Sequence, residues 1–179
     1  MTHDHSAGHR KHHGHAIERV RVALVTCSDS RTPDTDTSAQ ILRAGIEEAG
    51  HEVTSYQIVA DEPESIVEAI REASRSSQAI ITTGGTGVTA RDWTYEAISD
   101  LFTKPLPGFG ELFRMLSWEQ VGAAAFLSRA TAGLIDETVV FVLPGAPGAA
   151  QLAWDRLIRQ ELGHVCWLAV RDRGRSSKR

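Results

Sequence analysis

Apolar residues along the chain recur with two spacings, one typical of buried strands and one typical of amphipathic helices. Short apolar runs rich in β-branched residues predict strands that are covered on both faces. The predicted strands are Val20–Cys27, Val53–Ala60, Ala79–Thr83 and Thr138–Leu143. Apolar residues spaced three and four positions apart predict helices between and after them. The predicted helices are Ser38–Ala49, Glu64–Arg75, Thr94–Phe102, Glu111–Trp118 and Ala149–Gln160.

Strands that alternate with helices predict right-handed βαβ units, and therefore an α/β fold with a mainly parallel sheet. Ligands of such sheets bind beyond the carboxyl ends of the strands. Three loops follow predicted strands directly and are polar or rich in glycine: Ser28–Arg31, Gly84–Asp92 and Pro144–Gly148. We expect the functional residues in these loops.

Composition narrows the class of protein. The chain has 179 residues, of which 41% are hydrophobic and 23% charged, as expected for one globular domain and not for wholesale disorder. The net charge is −4, and because basic residues concentrate at both ends, the body between residues 17 and 170 is more acidic than that figure. An acidic body argues against binding to a nucleic-acid backbone, so a bound polyphosphate requires local donors or a metal ion.

The two ends of the chain differ from the body between residues 17 and 170, which is the predicted domain. Residues 1–16 hold six of the eight histidines, and we expect a disordered leader, with weak capture of transition metals as the alternative. Residues 171–179 are basic and are expected to be a disordered tail. No apolar run approaches the roughly 20 residues of a membrane span. Two cysteines are too few for a disulfide scaffold, so a cytoplasmic location is expected.

The glycine-rich segment TTGGTGVTARD, residues 82–92, is the most informative motif. Glycines permit positive φ and close approach to a ligand, and successive backbone N–H groups form a nest for a phosphate. The segment lacks the GxxxxGK[ST] pattern of a Walker P-loop. Arg91 can bind a phosphate oxygen or pair with a carboxylate. Asp92 can hold Mg²⁺ or cap the next helix, and the spacing alone does not decide between the two.

Other polar residues also follow strands. Asp61 comes just after the second predicted strand, where capping of the next helix is the simpler interpretation. Asp36 and Ser38 are typical of helix caps. Arg129 lies in an apolar stretch and needs an anion or a carboxylate partner, for which Asp136 or Glu137 are candidates. No GxSxG nucleophile elbow is present, and His51 and His164 lie apart in the sequence without metal-ligand spacing.

Five segments in order resemble one family. They are SDSR, TTGGTGVTARD, LPGFGELFRMLS, LSRATAG and LPGAPG. This set is similar to the MoaB/MogA family of molybdenum-cofactor biosynthesis proteins, over about residues 17–165. GGTG followed by RD is the most specific part, and PGFGELFRMLS followed by LSRA resembles the MoaB branch.

The resemblance implies a three-layer α/β/α fold and a molybdopterin adenylyltransferase, in which the terminal phosphate of molybdopterin attacks the α-phosphate of Mg-ATP. It implies that Asp61 and Asp92 are the catalytic and Mg²⁺-binding residues. Together with the strand-end loops, it predicts a set of substrate-binding residues. These are Ser28, Asp29, Gly84, Gly85, Thr86, Gly87, Thr89, Arg91, Ser128, Pro144 and Gly145.

The resemblance also implies a homotrimer or a hexamer, with molybdopterin, ATP and other cofactor-biosynthesis enzymes as partners. The helix within Phe109–Trp118 is apolar around much of its circumference, and we expect it to be buried between subunits. Val142 stands where MogA-type adenylyltransferases often have asparagine, which puts ligand contacts from that strand in doubt. Two alternatives to an enzyme therefore stay open: a non-catalytic molybdopterin-binding or carrier protein, and a structural homologue.

Overall fold

The computed structural model describes residues 15–171, which form one six-stranded sheet with helices on both faces. The strands are β1 (Arg21–Cys27), β2 (Glu52–Val59), β3 (Ala79–Thr83), β4 (Lys104–Pro105), β5 (Thr131–Ile135) and β6 (Thr138–Leu143). Their order across the sheet is β2-β1-β3-β6-β5-β4. The first four strands in this order are parallel, while β5 and β4 are antiparallel to their neighbours. The predicted mainly parallel sheet is confirmed.

Helices cover the two faces of the sheet. They are α1 (Thr37–Glu48), α2 (Pro63–Ser74), α3 (Thr94–Ser99), α4 (Pro107–Val121), α5 (Pro147–Ala153) and α6 (Arg159–Val170). A 3₁₀ segment, Gly122–Leu127, follows α4, and a π-helical turn, Trp154–Ile158, joins α5 to α6. The predicted helix at Glu111–Trp118 is therefore longer than expected, and the one predicted at Ala149–Gln160 runs without a break from Pro147 to Val170.

Alternate residues of the central strands build two separate hydrophobic cores. Val22 and Leu24 of β1 pack with α1, α4, α5 and α6 on one face. Ala23 and Val25, between and after them, pack with α2 and α3 on the other. Strand side chains alternate between faces with a period of two, so a fully apolar strand serves both cores. This arrangement is the expected three-layer α/β/α fold.

The hairpin of β5 and β6 was absent from the sequence prediction. β5 has the sequence TAGLI, whose alanine and glycine have low strand propensity. A two-residue turn joins the strands, and its Asp136 has φ of +52°, a conformation that aspartate tolerates better than most residues. Phe102 packs so closely over Gly133 that any larger residue would overlap its ring. β5 is therefore stabilised by the turn to β6 and by the packing of Phe102, and not by its own strand propensity.

Most of the predicted terminal tails lies outside residues 15–171, so the expectation for it stays a prediction. His15 is within the described range and stacks on Trp167 of α6, with ring centroids 4.9 Å apart. At the start of the described range, the Ile17 N–H donates to the carbonyl oxygen of Gly163 at 3.0 Å, which ties the chain to α6. Cys27 and Cys166 are both free, buried thiols. In the described part of the chain, no helix is both long and apolar enough to cross a membrane.

Candidate active site at the carboxyl ends of the strands

The glycine-rich loop turns sharply where β3 ends. Gly84 has φ of +92° and Gly85 has φ of +59°, both in the left-handed region that favours glycine. The Gly84 N–H donates to the carbonyl oxygen of Leu143 at 3.1 Å, and a Cβ on Gly84 would overlap the carbonyl oxygen of Cys27. The loop backbone is therefore wedged between the ends of β1 and β6, which brings the three predicted loops together.

Asp61 lies at the end of β2, against this loop. Its Oδ1 accepts from the Trp93 N–H at 3.4 Å, and a Cβ on Gly85 would lie 2.5 Å from it. Burial raises the pKa of the Asp61 carboxyl, and the negative charges of Asp92 and Asp29 add to the rise. Asp61 does not cap α2, whose N-cap residue makes no side-chain hydrogen bond. The simpler interpretation of Asp61 is therefore wrong, and its carboxylate lies against the glycine-rich loop and the Trp93 N–H instead.

Asp92 closes the far end of the loop. Its Oδ2 accepts from the Thr89 N–H at 2.8 Å and from the Thr89 hydroxyl at 2.6 Å. These bonds from Thr89 lower the pKa of the Asp92 carboxyl, and the charge of Arg129 adds to the effect. Asp92 does not cap α3 either, because the N-cap there is Trp93, without a side-chain bond. The pKa of Asp92 is therefore lowered and that of Asp61 is raised, although both residues border the same loop.

An ion pair joins two more of the predicted residues. Asp29, after β1, pairs with the exposed Arg91 of the glycine-rich loop. The other carboxylate oxygen of Asp29 accepts from the Asp61 N–H at 3.2 Å. Asp29 therefore bridges the ends of β1 and β2 and contacts the loop after β3. Because Arg91 is exposed, its guanidinium is within reach of a ligand that enters from solvent.

Two adjoining cavities open along this edge of the sheet. The first, of about 490 Å³, is predominantly polar, and its lining includes Ser28, Asp29, Asp36, Asp61, Thr83, Gly84, Gly85, Arg91, Gly145 and Ala146. The second, of about 520 Å³, is more apolar, and its lining includes Gly84, Gly85, Thr86, Gly87, Asp92, Phe113, Ser117, Val121, Ala125, Leu127, Ser128, Pro144 and Gly145. Gly84, Gly85 and Gly145 line both. A ligand with a charged part and an apolar ring can therefore span the two, with the glycine-rich loop between.

The structure brings together almost all of the predicted site residues. Each of them lines one of the two cavities except Thr89, which instead holds the carboxylate of Asp92. Asp36 is confirmed as the N-cap of α1, since its Oδ1 accepts from the Ala39 N–H at 3.1 Å. Ser38 was wrongly predicted as a cap, because it lies inside α1, where its hydroxyl donates to the carbonyl oxygen of Gly145 at 2.9 Å and so joins α1 to the third loop.

Two features of the site differ from the sequence prediction. Arg129 pairs with Glu96 of α3, and not with Asp136 or Glu137. Residues of α4 and the following 3₁₀ segment, among them Phe113 and Val121, wall the apolar cavity. The sequence predicted this helix for subunit contact only, and no motif marks its inner side as part of a site.

A covered, mainly parallel sheet with a glycine-rich loop and two aspartates at its carboxyl edge defines a three-layer α/β protein with a strand-end ligand cleft. Residues 23–164 match the family described as "Probable molybdopterin binding domain", and the chain belongs to this family. The family predicted from the five sequence segments is thereby confirmed.

Relatives and solved structures agree with this assignment. "Molybdenum cofactor biosynthesis protein B" of Bacillus cereus is 49% identical over 158 residues, which cover 87% of this chain and 94% of the relative. A crystal structure of a protein of that name has a TM-score of 0.84 at 48% identity, over 87% of this chain and 99% of the other. The "tungsten cofactor synthesizing protein MoaB" of Pyrococcus furiosus has a TM-score of 0.78 at 37% identity, over 86% and 99%.

Proposed function

We propose that the protein acts in molybdenum cofactor biosynthesis as a molybdopterin adenylyltransferase. The terminal phosphate oxygen of molybdopterin attacks the α-phosphorus of ATP and forms a new P–O bond. The bond from the α-phosphorus to the oxygen that bridges it to the β-phosphate breaks, and pyrophosphate leaves. The observation that carries this proposal is the position of Asp61 and Asp92 on either side of a glycine-rich loop that separates a polar cavity from an apolar one.

The chain's own residues bind and orient charged groups in this reaction. The backbone N–H groups of the glycine-rich loop and the guanidinium of Arg91 are donors for phosphate oxygens. A phosphate nucleophile is already ionised at neutral pH, so catalysis needs positioning and charge stabilisation and not a general base. Consistent with that chemistry, no histidine occurs among the described residues that line the two cavities.

The carboxylates fit a hard divalent cation. Asp61 and Asp92 present oxygen donors, the ligands that Mg²⁺ prefers. Burial chiefly raises the pKa of Asp61, and the charges of Asp92 and Asp29, which a cation would offset, add to the rise. Within residues 15–171 no group of three acidic, histidine or cysteine side chains forms a complete metal site. That agrees with the habit of Mg²⁺ to bind through one or two carboxylates together with substrate phosphates. When bound, Mg²⁺ supplies charge neutralisation for the polyphosphate.

The position of the label in ATP tests the reaction. With molybdopterin and Mg-ATP, α-labelled ATP is expected to give labelled adenylylated molybdopterin, whereas γ-labelled ATP gives labelled pyrophosphate only. Label from the γ-position in the pterin product would contradict adenylyl transfer. Molybdopterin binding without turnover would instead favour the carrier function, for which the fully buried, apolar Val142 of β6 is the supporting observation.

We extend the proposal to a homotrimer or hexamer that buries the outer face of α4, defined by Leu112, Met115 and Trp118. These three side chains are exposed, Met115 by 61% and Trp118 by 62%. Phe113 on the opposite side is only 2% exposed and belongs to the subunit's own core, so it was wrongly included in the predicted contact surface. An apolar stripe of this kind on a soluble protein is typical of a subunit contact.

A further inference from the structure

The Arg129 guanidinium contacts three groups, two in the glycine-rich loop and one on α3. Arg129 lies between the 3₁₀ segment and β5. Its Nε donates to the carbonyl oxygen of Thr86 at 3.1 Å, and its Nη2 donates to the carbonyl oxygen of Asp92 at 3.1 Å. Its Nη1 pairs with the carboxylate of Glu96. One guanidinium therefore holds two loop carbonyl groups and one helix side chain.

The two carbonyl groups belong to the two ends of the loop segment 86–92. Between them lies an internal turn, in which the Asp92 N–H donates to the carbonyl oxygen of Thr89 at 3.1 Å. Outside them, the Thr94 N–H donates to the carbonyl oxygen of Gly85 at 3.0 Å. Arg129 is therefore a side-chain link between the start of the segment and its end, and it holds the backbone from which the Asp92 carboxylate projects.

The same side chain joins the loop to α3. Glu96 and Tyr95 are neighbours on that helix, and the guanidinium lies over the Tyr95 ring, 5.2 Å from its centroid. Only 24% of the Arg129 side chain is exposed. A guanidinium presents donors in a rigid planar fork, whereas an ammonium is a point charge that cannot meet three partners in those directions. Lysine would keep the charge and lose the fork.

We infer that Arg129 is a positioning residue of the adenylyl-transfer site, which holds the glycine-rich loop and Asp92 in their working geometry. This inference rests on the proposed function. Arg129 lines neither cavity, so it acts through Thr86 and Asp92 and not by contact with a substrate. Misplacement of a catalytic group by about 1 Å is enough to lower turnover by about 100-fold, so the loss of the fork has a kinetic consequence beyond stability.

The test compares Arg129→Lys with a matched control, Arg43→Lys. Arg43 also pairs with a glutamate, Glu47, and lies over a tyrosine, Tyr56, but it is bonded to no carbonyl group of the loop. Hydrogen–deuterium exchange of the full-length protein without ligand is expected to be at least about tenfold faster in residues 84–93 of Arg129→Lys, and unchanged in Arg43→Lys. With molybdopterin and Mg-ATP, kcat of Arg129→Lys is expected to fall at least about tenfold, with KM for ATP within about threefold of wild type.

Each outcome decides the inference. Loop exchange as slow as wild type, or wild-type kcat despite faster exchange, would overturn it. If Arg129→Lys does not fold, Glu96→Gln takes its place, because it removes the carboxylate that anchors the same guanidinium; a smaller rise in loop exchange is expected, and no rise overturns the inference. If the wild-type protein forms no adenylylated product, the proposed function fails, and the exchange measurement by itself still decides whether Arg129 holds the loop.

Discussion

Asp61 and Asp92 border one loop, yet their surroundings act on their charges in opposite directions. Burial and the charges of Asp92 and Asp29 raise the pKa of Asp61. Hydrogen bonds from Thr89 lower the pKa of Asp92. By linkage, the charge on Asp61 destabilises the ligand-free fold, whereas the charge on Asp92 stabilises it. A carboxylate kept where it weakens the fold is typical of a residue that serves a ligand.

The two Asp→Asn substitutions are therefore expected to change Tm in opposite directions. At pH 7, Asp61→Asn raises Tm, because it removes a charge that the folded state disfavours. Asp92→Asn lowers Tm, because it weakens charge-assisted hydrogen bonds worth on the order of 1 kcal/mol, or about 2–4 °C for a chain of this size. Thermal unfolding without ligand measures both changes.

The pH dependence separates these effects from other consequences of mutation. The destabilisation caused by the charge on Asp61 is complete above its raised pKa and disappears below the pKa of the unfolded state, about 3.9. The rise in Tm of Asp61→Asn therefore shrinks as the pH falls toward 4. The pKa of Asp92 lies below the unfolded value, so the loss in Asp92→Asn persists at pH 4. A change of Tm in the same direction for both variants at pH 7 would contradict this account.

At the residue scale, position alone indicated Asp92, which lies in one of the three loops that follow strands, and parallel strands bring their carboxyl ends to one edge. Position favoured a helix cap for Asp61, and only the family resemblance assigned it to the site. Their roles as helix caps could be excluded only with coordinates, since a cap depends on φ, ψ and a bond of a few ångströms. The partner of Arg129 was missed because Glu96 is 33 residues away along the chain, and sequence spacing does not encode such contacts.

At the scale of elements, the turn after β3 needs glycine for a reason beyond backbone conformation. Gly85→Ala would place a methyl group against the Thr94 hydroxyl and 2.5 Å from Asp61 Oδ1, at φ of +59°. Gly50→Ala is the matched control, because Gly50 has φ of +83° but nothing within 4 Å of its added Cβ. We expect Gly50→Ala to lower the unfolding free energy by about 1–2 kcal/mol from left-handed strain alone.

Gly85→Ala is expected to lower the unfolding free energy by at least about 3 kcal/mol, since overlap in the packed site adds to that strain. Denaturant titration of both variants measures the difference. Turnover is expected to stay at the wild-type level in Gly50→Ala and to be mostly lost in Gly85→Ala. Equal destabilisation by the two substitutions would show that the site tolerates the methyl group.

Periodicity predicted the strands and helices whose own residues determine their secondary structure. β3 and β6 have the predicted bounds, because each is a run of apolar and β-branched residues buried on both faces. β4 has only two residues, and β5 contains alanine and glycine, so their pairing comes from the neighbouring chain and not from local preference. The π-helical turn at Trp154–Ile158 has no periodic signature that would have separated it from a continuous helix.

At the scale of the whole molecule, α4 divides its apolar residues between two tasks. The inner side, with Phe113, packs in the core and walls the apolar cavity. The outer side presents Met115 and Trp118 to solvent. Amphipathic periodicity cannot sort apolar residues between a core and a subunit contact, because both are apolar, and this is why the sequence placed Phe113 on the wrong side.

The proposed assembly makes a prediction that separates the two sides. Trp118→Glu is expected to give a folded monomer by light scattering and circular dichroism at micromolar concentration, because a charge would be buried in the subunit contact. Phe113→Glu is expected to unfold the subunit. Leu168→Glu, at a residue 38% exposed on α6, is the control and keeps the wild-type mass. A wild-type protein that is itself monomeric under these conditions would refute the assembly.

The central claim is that the carboxylates at the ends of β2 and β3 make this cleft an adenylyltransferase site. The most direct measurement is single-turnover formation of adenylylated molybdopterin by wild type, Asp92→Asn and Asp100→Asn, the last an exposed aspartate at the end of α3. Loss of a charge-stabilising group predicts a rate at least about 100-fold lower for Asp92→Asn, with unchanged affinity for molybdopterin and a wild-type rate for Asp100→Asn. A full rate for Asp92→Asn at low Mg²⁺ would contradict the claim.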